Sequence, residues 1–310
     1  MRFRGLLATL VGFAIPLASL AADAGGPRHG HQPKAHASLP VARSSEAQPA
    51  VALAAPAPDR ILLRGGTFAM GATEADVADA LALCRREPAA DDYCAEELFS
   101  SELPAHDVEL SDVWVDTHEV TVDRYRRCVA AGRCAEPPLA EGAARFDRPS
   151  LPVTLVSWSD ATAFCAFDGG RLPTEAEWER AARGLVGRTY PWGRVYNPFL
   201  ANHGKLDWDE LDDGDGFLEL APVGSYPDGR TPDGLADLAG NVEEWVADWY
   251  APEYPPASAR NPRGPDSGDE RTLRGGSYFH ARPWMRATAR LHDLAGSRRA
   301  WRGFRCARDP

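Results

Sequence analysis

A chain of 310 residues, 44% hydrophobic and 25% charged, is ordinary globular material with length for one large domain. Its formal net charge of −11 excludes a nucleic-acid partner, which needs a clustered basic surface. With 26 prolines, 28 glycines and 9 tryptophans, an all-helical fold is excluded in favour of a loop-rich mixed one.

Residues 1–24 predict a signal peptide. Arg2 and Arg4 open it, Leu6 to Leu20 is an apolar run broken by Pro16, and Ala22-Asp23-Ala24 offers a cleavage site. Ser19-Leu20-Ala21 is the alternative site. The run is too short to cross a membrane comfortably, so the chain is expected to be exported to a periplasm or outside the cell, not membrane-spanning. Residues 25–57 are rich in Pro, Ala, Gly and Ser without apolar periodicity, which predicts a disordered linker. Its histidines, His29, His31 and His36, read as solvated rather than metal-binding.

The folded domain is expected over 58–310. Arg60 to Met70 reads as strand, turn at Gly65-Gly66, strand. Residues 72–100, acidic and Ala-rich, predict a short helix and loop. Val108, Leu110, Val113 and Val115 alternate, giving strand character from Ala105 to Val120. Thr121 then caps a helix carrying Val122, Tyr125, Cys128 and Val129, ended by Gly132. Leu151 to Trp158 is a short strand-like run. Ser159 is expected to open a second helix with Ala161, Phe164 and Cys165 inward, stopped at Gly169-Gly170.

Residues 169–184 carry a third helix with its ends written in. Thr174 and Glu177 have capping-box spacing, and Glu175, Glu177 and Glu179 suit the positive end of the helix dipole. Trp178, Ala181, Ala182 and Leu185 fall on one face, and Gly184 is the breaker. Residues 186–235 are loop-rich, Leu235 to Tyr250 dense in apolar and Trp residues, and 251–270 a Pro/Gly loop. Thr272 to Tyr278 and Gly303 to Ala307 predict final strands around an Arg-rich connection.

Six cysteines in an exported chain predict disulfides, in any of 15 connectivities. Spacing favours Cys84–Cys94 and Cys128–Cys134, which leaves Cys165 with Cys306.

Eight blocks then appear in one order. They are Gly66-Thr67-Phe68-Ala69-Met70-Gly71, Glu119-Val120-Thr121, Leu151-Pro152-Val153 with Val156-Ser157-Trp158, and the 169–184 run. Tyr190-Pro191-Trp192-Gly193, Leu238-Ala239-Gly240-Asn241 with Glu244-Trp245, Arg274-Gly275-Gly276-Ser277, and Gly303-Phe304-Arg305-Cys306 complete the series. Together they resemble the formylglycine-generating enzyme, or sulfatase-modifying factor, family. The resemblance implies an α/β (α+β mixed), loop-rich domain, a variant of the C-type-lectin-like fold. It also implies the long-range Cys165–Cys306 bridge.

Two structural calcium sites follow from the resemblance. One would use Asn202, Asp215 and the carbonyls of His203 and Phe217; the other Asp237, Glu244 and the carbonyls of Gly240 and Val242. These are the hard oxygen donors calcium takes. The acidic stretch 207–215 lacks EF-hand spacing.

The family oxidises a cysteine of a partner sulfatase to formylglycine with copper and oxygen, holding the copper between two thiolates. At those two positions this chain has His280 and Met285, while Ser277 and Arg282 match the family's active-site region. Glu243 replaces a Trp usual in the family. Cysteine-dependent formylglycine formation is therefore not expected. One reading is a binding or accessory module for a protein, peptide, cell-wall fragment or glycan. The alternative is a metal-dependent oxidase using His280, Met285 and Glu243 for copper or iron. The plainest reading makes His280 and Met285 packing residues. The cluster Arg282, Arg286, Arg290, Arg298, Arg299 and Arg302 reads as ion-pair partners of the excess carboxylates rather than an anion pocket. No Ser-His-Asp order, phosphate loop or zinc-type His pair supports a hydrolase or nucleotide-binding class.

Overall fold

Alternating residues at the start of the domain make two strands that do not pair with each other. The computed structural model describes residues 59–87, 94–95, 97–138, 143–205, 212–254 and 259–310, so the expected signal peptide and linker lie outside it. Strand β1 (Arg60–Leu63) runs antiparallel to β4 (Val113–Asp116), and β2 (Gly66–Met70) to β3 (His106–Leu110). The single run expected over 105–120 thus divides at Ser111 and Asp112. There the Asp112 carboxylate accepts from the Gly65 N–H at 2.8 Å, and the two halves enter different sheets.

The later strands are β5 (Glu243–Trp249), β6 (Ala259–Arg260), β7 (Glu270–Arg274), β8 (Arg290–Leu294), β9 (Arg302–Gly303) and β10 (Ala307–Arg308). Three sheets result, ordered β1-β4-β10, β2-β3-β6 and β8-β7-β5-β9. Three expectations change here. β7 stops at Arg274 because Gly275 and Gly276 adopt φ of +92° and +67°, so the strand does not reach Tyr278. The run 303–307 is split between β9 and β10, in two sheets. The Arg-rich connection contains β8, hidden from periodicity because its inward residue Arg290 is charged and buried by pairing with Glu175.

Local capping makes the helices. Thr73 and Asp76 form a capping box for α1 (Glu74–Cys84), which is followed by the short α2 (Glu97–Ser100). Thr121 caps α3 (Val122–Ala130). Helix α4 (Trp158–Phe167) starts at Ser157, boxed with Asp160, rather than at Ser159. The strand-like run before it forms only the Thr121–Pro152 bridge, since Pro152 has no N–H and Leu155 sits at φ +59°. Helix α5 (Glu175–Arg183) has the Thr174–Glu177 box and ends at Gly184, φ +66°. That turn carries Leu185 off the helix, so Leu185 is exposed rather than part of the inner face.

Two of the hydrophobic clusters hold the central helices and strands. In one, Tyr125 stacks on Phe164 at 5.5 Å and Phe304 meets Phe164 edge-on at 5.6 Å, beside the Cys165–Cys306 disulfide. The other disulfides join Cys84 to Cys94 and Cys128 to Cys134. In the second core, Trp178, Ala181 and Ala182 of α5 pack on Val113, Val115, Leu235 and Leu238. Truncating Trp178 to Ala there costs about 3–5 kcal/mol.

The charges of α5 are not a solvated face. All nine of its residues are buried. Glu175 pairs with Arg274 at 3.0 Å and Arg290 at 2.7 Å, and Glu179 with Arg274 at 2.6 Å and Arg183 at 2.9 Å. Two of the carboxylates that suit the helix dipole, Glu175 and Glu179, therefore also pin α5 to β7 and β8, while Glu177 pairs with Arg171 at 2.6 Å.

Candidate functional site

Ser277, His280 and Glu243 meet where β5 faces the loop 275–289. Two glycines permit the approach. A Cβ on Gly276 would lie 2.4 Å from the Met285 methyl, and one on Gly240 would lie 2.0 Å from the Asn202 carbonyl oxygen. The loop is tied down by Tyr278 N–H donating to the Asn241 carbonyl at 3.1 Å and Gly204 N–H to the His280 carbonyl at 2.8 Å.

Ser277 and His280 are brought together: Oγ and Nδ1 are 2.7 Å apart. Across the ring, Nε2 lies 3.8 Å from Glu243 Oε2. Glu243 is buried, and its Oε1 accepts from Arg302 Nε and Nη2, both at 2.6 Å. Burial, reinforced by the Arg302 charge, pushes His280 down to about 4, so its imidazole is neutral at pH 7. Burial pushes Glu243 up to about 7, against the pull of Arg302. Ser277 is fully buried, so its hydroxyl orients the imidazole and is closed to an external substrate.

The other two predicted residues go elsewhere. Met285 is fully buried among Tyr190, Ala201 and Ala239. Arg282 forms an ion pair with Glu87 and lies over the Tyr196 ring. The rest of the arginine cluster is likewise paired: Arg286 with Glu102, Arg290 with Glu175, Arg298 with Asp160, Arg299 with Asp293 and Arg302 with Glu243. A thiolate copper site does not fit these residues. All six cysteines are in disulfides, and no thiol remains. What the loop does present is a row of partly exposed rings. Trp301 stacks on Phe279 at 4.7 Å, followed by His280 at 6.2 Å and Trp284 a further 6.3 Å on.

The two predicted calcium sets lie behind this loop. Among the described residues no three His, Cys, Asp or Glu side chains are arranged to hold a metal, so these sets depend on amide and carbonyl oxygens. In the first, Asn202 spends its amide N–H groups on the Glu219 carbonyl at 2.8 Å and Asn241 Oδ1 at 3.0 Å. Its own Oδ1 is buried without a donor, an orphan oxygen that a hard cation would satisfy. Asp215 accepts from His203 N–H at 2.6 Å and Phe217 N–H at 3.0 Å, which ties it to both carbonyl-bearing residues.

In the second set, Asp237 takes φ +56° and accepts from Gly224 N–H at 2.6 Å. Glu244 is held by Arg305 at 2.7 Å and by Trp178 Nε1 at 2.8 Å. The structure adds a residue that sequence reasoning missed. Glu119 is buried, one oxygen accepting from Asn241 at 2.9 Å and the other unpartnered. Burial and the neighbouring Asp237 hold its carboxyl well above the usual carboxylate range. The available signal was an acidic residue next to Val120 and the cap Thr121, at the entry to a core helix.

Comparison with known proteins places this geometry. A family model for the sulfatase-modifying factor enzyme 1-like domain matches residues 45–310. The formylglycine-generating enzyme of Thermomonospora curvata is 41% identical over 187 residues, covering 56% of this chain and 60% of that protein. Inactive C-alpha-formylglycine-generating enzyme 2 of Mus musculus is 40% identical over 178 residues, covering 55% and 53%. The solved structure of PvdO from Pseudomonas aeruginosa matches with a TM-score of 0.63 at 25% identity, over 81% of this chain and 94% of that one. The matched region thus spans about half the length of the curated relatives. The mixed, loop-rich architecture is the C-type-lectin-like variant of these proteins.

Proposed function

This chain belongs to the sulfatase-modifying factor enzyme 1-like family, and on that premise we propose an exported member that binds a partner without oxidising it. It does not convert cysteine to formylglycine and serves as a binding or accessory module. The observation that carries this reading is the state of the sulfur atoms. Every cysteine is in a disulfide, and the two positions of the family's thiolate pair hold a neutral, Ser-bonded imidazole and a thioether sealed in the core. A relative whose own name calls it inactive, at 40% identity, supports it.

The ring row Trp301, Phe279, His280 and Trp284 suits a peptide or glycan laid across the loop, since partly exposed aromatic rings offer stacking surfaces. Structural calcium would hold the loops beneath it. Export is supported by three disulfides, which form and persist outside the cytosol. No helix among the described residues is long and apolar enough to cross a membrane.

The test is direct. The purified protein is incubated with copper, oxygen and a Cys-x-Pro-x-Arg peptide, and aldehyde is measured by mass spectrometry. No aldehyde is expected. Formation at the rate of an active family member overturns the proposal.

A further inference from the structure

Away from that loop, a cavity of about 590 Å³ opens beside α5 and the end of β5. Met70, Trp249 and Tyr254 contribute its apolar wall, and Glu175, Asp248 and Arg290 its buried polar end. The two exposed charges that also line it, Glu253 and Arg263, are opposite in sign and cancel.

Most of the buried polar groups are spent on each other. Glu175 Oε1 accepts from Tyr254 Oη at 2.9 Å, Arg274 at 3.0 Å and Arg290 Nε at 2.7 Å. Arg290 gives further N–H groups to the Ser101 and Ala251 carbonyls at 2.7 and 2.9 Å. Asp248 is the exception. It is 4% exposed, and its Oδ2 accepts from the Glu175 N–H at 2.8 Å. Its Oδ1 makes no hydrogen bond among the described residues. Gly264 leaves that oxygen uncovered, because a Cβ there would lie 3.0 Å from it.

A buried carboxyl with one spare acceptor, at the end of an apolar cavity, complements a donor on an apolar stem. Among donors, an ammonium satisfies both the lone pair and the charge. A hydroxyl satisfies only the lone pair, and a carboxylate is repelled by the ionised Glu175 at the same end of the cavity. We propose that this cavity binds a primary ammonium carried on an apolar stem, with Asp248 Oδ1 as its acceptor. A free alkylamine and a peptide lysine present the same chemistry.

The charges facing Asp248 are Glu175 and Glu177 from α5, Arg290 from β8 and Arg271 from β7. Burial and the Glu175 charge push Asp248 up to about 8, so at pH 7 it is mostly protonated. An arriving ammonium favours the carboxylate, and the proton leaves to solvent.

The experiment titrates the full chain at pH 7 with hexylamine, hexanol, hexanoate and Nα-acetyl-lysinamide, by calorimetry in buffers of different ionisation enthalpy. Hexylamine is expected to bind at least tenfold tighter than hexanol, releasing protons, with hexanoate not bound. Asp248→Asn keeps an oxygen for the Glu175 N–H and should weaken hexylamine at least tenfold. Ala251→Trp, which fills the cavity from its lining, should abolish binding. A wild-type far-UV circular dichroism spectrum and a single cooperative melt certify each variant as folded. Nα-acetyl-lysinamide equal to hexylamine assigns the site to a peptide lysine; a tenfold weaker value assigns it to a free amine. No hexylamine binding, equal binding of hexanol, or an Asp248→Asn variant with full affinity overturns the proposal.

Discussion

Ser277 Oγ lies 2.7 Å from His280 Nδ1, so the imidazole at the family's first thiolate position is held by a neighbour three residues away. With one ring nitrogen occupied and Met285 sealed in the core, this loop has no soft ligand pair for copper. Protein purified in the presence of copper should hold well under one equivalent by elemental analysis. His280→Cys with Met285→Cys should raise that towards one. Stoichiometric copper in the wild type, lost in His280→Ala, would contradict this and favour metal chemistry.

Arg305 and Glu244 form a fully buried pair, with Nη2 2.7 Å from Oε1 and Nε 2.8 Å from Oε2. Arg305→Met leaves the Glu244 carboxylate with only Trp178 as side-chain donor among the described residues. The expected cost is about 3–5 kcal/mol, the range for stranding one partner of a buried pair. Urea unfolding measures it, and a loss under about 1 kcal/mol would mean that Glu244 is compensated from elsewhere.

If calcium satisfies the orphan Asn202 Oδ1, chelation should lower the thermal midpoint. Each tenfold excess of calcium over its Kd then adds about 1.4 kcal/mol to stability. Asn202→Ala should blunt the response to that site. A melting curve indifferent to both EGTA and added calcium refutes the calcium assignment.

Asp248 should make stability fall as pH rises. Its folded pKa is raised from the usual 3.8 to about 8, by burial and then by Glu175, so the folded state keeps a proton the unfolded chain has lost. That contribution is complete below the unfolded value and disappears as pH climbs through the folded one. Wild type should therefore lose stability relative to Asp248→Asn between about pH 4 and pH 8, the window bounded by the two pKa values. Parallel stability curves for the two proteins would show that Asp248 stays ionised throughout.

Much of the architecture was legible along the chain because its signals are local. The Thr174–Glu177 box, the Gly184 stop and the Thr121 cap each depend on residues three or four apart, and all appear where spacing places them. Ser157 was missed in favour of Ser159 because both are small hydroxyl residues next to an apolar run. Only the reciprocal bond with Asp160 distinguishes them. Strand β8 escaped notice because its inward Arg290 breaks the apolar alternation.

What the amino-acid sequence determined by itself was the family, the caps and the absence of cysteine at the two thiolate positions, since these need only identity and short spacing. Tertiary structure alone decided that Met285 is core while His280 is partly exposed, that Glu175 and Glu179 of α5 meet arginines 95 to 115 residues away, and that Glu119 joins Asp237 and Glu244. It also decided that Asp248, which lines a cavity, keeps one oxygen without a hydrogen bond among the described residues. A buried charge is tolerable only beside its partner, and in this fold the partners come from distant strands. Chain order names the charges, and packing selects which are paired and which remain open.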